Sequence, residues 1–75
     1  MPRDRSRDKF VVLAERRVEK AIKALRLVGN LSNRTNYKYE DNDAEKIVKT
    51  LSKELADLKA RFEEASVSRE IKFKL

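Results

Sequence analysis

Apolar residues recur at helical spacing in two separate stretches of this chain. In the first, Val11, Ala14, Val18, Ala21, Leu25 and Val28 alternate steps of three and four, and Phe10, Leu13 and Ile22 widen the stripe. Side chains three and four apart share one face of an α-helix, so the pattern predicts an amphipathic helix over residues 6–28. Ser6 is placed as its N-cap, with Asp8 near the positive end of the helix dipole. Gly29, the only glycine, follows Val28 directly, where a left-handed C′ residue would end the helix without a Cβ clash.

In the second stretch Ala44, Val48, Leu51, Leu55, Leu58 and Phe62 alternate four and three, with Ile47 beside the seam. This heptad stripe predicts a helix over residues 42–66. Asn42 and Glu45 have the spacing of a capping box, the Asn oxygen reaching the N3 amide and the carboxylate reaching back to the cap amide. Two such helices would each be about 35 Å long. Joined through a connector, residues 29–41, they would fold back as an antiparallel hairpin. Beyond them the period changes: Ile71, Phe73 and Leu75 alternate with Glu70, Lys72 and Lys74, so residues 68–75 read as a short strand or extended arm. Residues 1–5 read as a flexible lead-in.

The expected fold class is therefore all-α, a single helical-hairpin domain. A hairpin is only two helices thick, and each stripe can be only partly covered by the other. The expected remedy is a homodimer that forms a four-helix bundle, with a heteromeric assembly as the alternative. Val11, Val18, Leu25, Val48, Leu51, Leu55, Leu58 and Phe62 would line that dimer or partner interface.

Composition narrows the chemistry. The 75 residues contain neither His nor Cys. Zinc, iron–sulfur, haem and blue-copper sites of the usual kinds are thus out of reach within one chain, as are Cys–His and Ser–His–Asp triads. No disulfide can form, and the reducing cytoplasm is the expected compartment. One glycine cannot make a Gly-rich phosphate loop. Glu63 and Glu64 are sequence neighbours and diverge on a helix, while Thr50 and Ser52 lack an evident base. The expectation is a non-enzymatic protein with no cofactor and no metal. No basic start followed by an apolar stretch and a cleavage site suggests a signal peptide, and no apolar run approaches the roughly 20 residues of a membrane span.

Charge locates a candidate surface. Nineteen Lys and Arg against thirteen Asp and Glu give a net charge of +6, and all of the excess falls within residues 1–40, since residues 41–75 hold eight of each sign. At about 100° per residue, Arg5, Lys9, Arg16, Lys20 and Lys23 share a narrow sector nearly opposite the apolar stripe of the first helix, with Asp8, Glu15 and Glu19 to one side. A straight row of cations one turn apart can meet successive phosphates, and a two-fold dimer would display two rows. The same residues could instead simply keep a helix face solvated, with pairs such as Glu19 and Lys23 adding local support.

The connector carries both tyrosines, Tyr37 and Tyr39, interleaved with Arg34 and Lys38 and preceded by three Asn. Aromatic rings stack on exposed bases, cations hold phosphates and Asn amides pair with base edges, which adds Arg34, Tyr37 and Lys38 to the candidate nucleic-acid contacts. The competing reading folds Leu31, Tyr37 and Tyr39 over the end of the bundle, with one tyrosine capping and the other facing outward if both hold.

In architecture the chain resembles the Rop type of plasmid RNA-binding helical hairpin, a dimeric four-helix bundle that offers polar residues of its first helices to paired RNA loops. The stretch from Arg26 through Gly29, Asn33 and Arg34 to Tyr37 looks like one found in small uncharacterised bacterial helical-hairpin proteins. That likeness implies no activity; the cations of the first helix with Arg34, Tyr37 and Lys38 of the connector lead instead to the expectation of a small nucleic-acid-binding accessory or regulatory protein. The alternative is an adaptor or inhibitor that captures another protein through the Ala44 to Phe62 seam and the arm from Ile71 to Leu75. Binding to anionic membranes is not expected, because the stripe lacks Trp and is needed for the core.

Overall fold

The computed structural model describes the backbone of residues 5–71 and the side chains of residues 5–66. It contains two α-helices, α1 (Arg5–Asn30) and α2 (Asp41–Ile71), and no strand among the described residues. Both periodic stretches are thus helical. The chain divides into two compact units, the first ending at Lys38 and the second beginning at Tyr39.

In the first unit, α1 is 26 residues long and segregates its apolar side chains sharply. It starts at Arg5, so Ser6 lies inside the first turn and is not the residue that precedes the helix. Of the expected lead-in, Arg5 is helical and residues 1–4 lie outside the described residues. Gly29 is also inside α1, and no described residue has a positive φ. The helix ends instead by tightening. The amides of Leu31, Ser32 and Asn33 donate to the carbonyls of Val28, Gly29 and Asn30 at 3.0, 3.0 and 3.4 Å, three-residue steps that satisfy the last carbonyls without a left-handed residue.

Asn33 then organises the connector. Its side-chain Oδ1 accepts the Thr35 amide at 3.0 Å, and its carbonyl accepts the amides of Asn36 and Tyr37 at 3.2 and 3.0 Å. This Asx turn is what a short side-chain oxygen two residues ahead of an amide makes available.

In the second unit, α2 runs for 31 residues. Its N-terminal cap sits two residues earlier than Asn42 and Glu45 suggest, with one half of a capping box formed. Asp43 Oδ2 accepts the Glu40 amide at 2.9 Å, while the Glu40 carbonyl accepts the amides of Asp43 and Ala44 at 3.0 and 3.3 Å. Glu40 is therefore the cap and Asp43 the N3 residue. Asp41 and Asp43 also put negative charge at the positive end of the dipole.

At the other end, residues 68–71 continue the helix, which corrects the expected extended tail over that part. Three apolar side chains alternating at period two are too few to set a strand. With no Gly or Pro after Phe62, each further residue adds a hydrogen bond to an existing helix at little cost. Residues 72–75 lie outside the described residues.

No described side chain is buried. Val11, Leu13, Ala14 and Val28 of α1, Ala44 of α2, and Tyr39 are partly covered, whereas Val18, Leu25, Val48, Leu55 and Phe62 are exposed. Among the described residues no helix is long and apolar enough to cross a membrane.

Candidate nucleic-acid interface

α1 sets the geometry of the basic surface. Arg5, Lys9, Arg16, Lys20 and Lys23 all fall in its helical span and all are exposed. At about 1.5 Å per residue the row runs roughly 27 Å along the axis, the length of about eight phosphate steps on one duplex strand. Asp8, Glu15 and Glu19 lie outside that sector on the helical wheel. Among the described residues none of the five cations forms an ion pair, so their charge is not spent on a neighbouring carboxylate.

Two apolar residues share this ridge and escape a reading based on charge. Steps of four and three run from Arg5 through Lys9, Leu13, Arg16, Lys20 and Lys23 to Leu27. Leu13 is partly covered and stands between Lys9 and Arg16, while Leu27 is 69% exposed and continues the line one turn beyond Lys23. The ridge is thus cationic with an apolar end. Continuing the three-and-four step past Lys23 would have found Leu27. Arg7 lies elsewhere, with its guanidinium carbon 5.7 Å from the centre of the Phe10 ring, a cation–π contact one turn along α1.

The connector candidates belong to the same unit, which ends at Lys38. Arg34, Tyr37 and Lys38 are exposed, and Tyr37 retains 48% of its surface. The Asn33 turn holds the backbone that carries Tyr37, so its ring sits on a defined segment. Arg34 is already engaged within the structure and is not a free cation. Tyr39 opens the second unit and is partly covered and engaged. The two tyrosines therefore differ, one outward and one partly covered, while Leu31 is exposed and does not close over a core.

The expected interface residues form two stripes. Val11 is partly covered, and Val18 and Leu25 are open along α1. On α2, Val48, Leu51, Leu55, Leu58 and Phe62 are all exposed. Shallow apolar grooves run along this face, lined by Leu55, Leu58, Phe62 and Ala65 with Ser52, Lys59, Arg61 and Glu63 at their edges. Lys59 Nζ lies 3.9 Å from Glu63 Oε1 on the same helix. Among the described residues no group of three or more acidic side chains is gathered in a way that could hold a metal ion.

No protein-family model, curated protein or solved structure matches this chain.

Proposed function

We propose that this chain is a small, non-enzymatic nucleic-acid-binding accessory or regulatory protein of the cytoplasm. Its contact surface is the ridge of Arg5, Lys9, Arg16, Lys20 and Lys23, extended by Arg34, Tyr37 and Lys38. The observation that carries this reading is the ridge itself: five exposed cations in one helical sector without a carboxylate among them. Phosphates bind such a row by releasing counterions, which needs no pocket and no unusual ionisation. Tyr37 adds a face on which an unpaired base can stack. In this reading α1 and α2 fold as an antiparallel hairpin and two copies associate into a four-helix bundle of the Rop kind, which doubles the cation row.

Fluorescence anisotropy with labelled mixed-sequence DNA and RNA tests it. A dimer meeting 4–5 phosphates should lose affinity with salt at a log–log slope near about −4. Glu at both Lys20 and Lys23 should weaken binding about tenfold or more while circular dichroism stays helical. Affinity weaker than about 100 μM at low salt for every nucleic acid tried ends this reading.

The exposed stripe of α2 favours a second reading, a protein-interaction module acting through that seam. Recovery of partners from lysate with and without nuclease separates the two. Partners lost on nuclease treatment support the first reading, and partners retained support the second.

A further inference from the structure

The apolar stripe of α2 stands open to solvent. Assigned to heptads, Val48, Leu55 and Phe62 occupy one core row, and Ala44, Leu51, Leu58 and Ala65 the other. The seam spans just over three heptads, the shortest length at which a coiled-coil pattern is informative. Its first row is the more open, with Val48, Leu55 and Phe62 at 63%, 65% and 61% exposure. An unpartnered face of this kind can be covered by several occupants, and the residues in and beside the seam distinguish among them.

We infer that α2 packs antiparallel against α2 of a second copy, with Leu55 facing Leu58 of that copy and Glu54 paired with its Arg61. Three features favour this register. The first is volume. With Leu55 opposite Leu58, Leu51 faces Phe62 and Val48 faces Ala65, so the smallest core residue of the overlap meets a branched one. A parallel pair would stack each residue on itself, Phe62 on Phe62 and then Ala65 on Ala65, an overfilled layer beside an empty one.

The second feature is charge. In an antiparallel pair the positions that flank one core row face their own kind across the seam. In this register Glu54 meets Arg61 of the second copy and, by symmetry, Arg61 meets Glu54, while Ser52 faces Lys59. All four side chains are exposed. Sliding the helices so that Leu51 faces Leu55 would put Glu54 against Glu54, two like charges at the centre of the seam. The third feature is the Lys59–Glu63 pair. A parallel arrangement would call on Lys59 to meet Glu54 and leave Glu63 of its own helix, 3.9 Å away, an exposed contact that adds only a small preference. Arg61 forms no ion pair among the described residues and is available.

α1 is a poorer occupant. On the flank that would face Glu54 and Arg61, α1 carries Phe10, Arg17 and Ala24, so Arg17 could meet Glu54 but Arg61 would face an apolar side chain. This contact deepens the bundle invoked for the proposed function and rests on that bundle, but it involves α2 alone and is read without nucleic acid.

Sedimentation of the full chain in the absence of nucleic acid tests the contact. The protein should be a dimer in the micromolar range. Glu54→Arg should weaken the dimer about tenfold, by setting like charges together at two symmetry-related places. Adding Arg61→Glu should restore it to within about twofold, whereas adding Lys59→Glu to Glu54→Arg should not. Phe62→Glu should yield a monomer. All four sites are exposed and on one helix, and circular dichroism checks that helix content survives. A monomer at hundreds of micromolar overturns the inference, as does indifference to Glu54→Arg or rescue by Lys59→Glu in place of Arg61→Glu. A chain that is monomeric alone but leaves lysate bound to another protein also overturns it, and gives the seam to the adaptor reading. Dimerisation as described, with no affinity for DNA or RNA, would leave this contact standing and remove the proposed nucleic-acid function.

Discussion

A helix ends where its last carbonyls find partners outside the next turn, and at α1 those partners are the amides of Leu31, Ser32 and Asn33. Gly29 has the sequence position of a left-handed stop but adopts helical backbone, since tightening of the final turn satisfies the same carbonyls. The side chain it lacks would meet nothing: no heavy atom lies within 4 Å of an added Cβ. Gly29→Ala should therefore stabilise α1 by about 0.5 kcal/mol through the unfolded chain's lost freedom, read as a higher thermal midpoint by circular dichroism. A left-handed Gly29 would give the opposite sign. The tyrosines make a similar point at the candidate site. Their presence beside Arg34 and Lys38 is plain from the sequence, but that Tyr37 is open and Tyr39 partly covered depends on the turn that Asn33 closes and on where the first unit stops.

At the scale of the element, the two periodic stretches foretell both helices because three-and-four spacing is a local property of the chain. Their ends are less legible, because several polar residues compete for each cap. Asn42 with Glu45 and Glu40 with Asp43 both have cap-to-N3 spacing, and the second pair is used. Asp43→Ala should accordingly fray α2 and cost about 0.5–1 kcal/mol, with faster amide exchange at Glu40, whereas Asn42→Ala should be nearly neutral. Equal losses from both substitutions would mean that the box is not the one described. Residues 68–71 of the C-terminal stretch are misread for a related reason. Alternation in Ile71, Phe73 and Leu75 has meaning as a strand only with an edge to pair with, and α2 continues through Ile71 because nothing in the sequence stops it.

At the scale of the whole molecule the defining feature is apolar surface that the described residues do not bury in a core. Val18, Leu25, Val48, Leu55 and Phe62 are open to solvent, and no described residue is buried. Helices of this length gain little from propensity alone and depend on packing of an apolar face. Stability should then follow association. The thermal midpoint should rise by about 5–10 °C for each hundredfold increase in protein concentration, as mass action requires of a dimer of this size, and a melt independent of concentration would contradict it. The sequence by itself determined that two helices form, that the net +6 lies in residues 1–40, and that five of its cations share one face. Each of these follows from composition or from a repeat shorter than a few turns. Tertiary structure decided where the helices begin and end, which tyrosine is covered, how exposed Leu13 and Leu27 are on the cationic ridge, and that the stripe of α2 stands open. These depend on which backbone groups and side chains find partners in space, and several arrangements of the same residues compete for them.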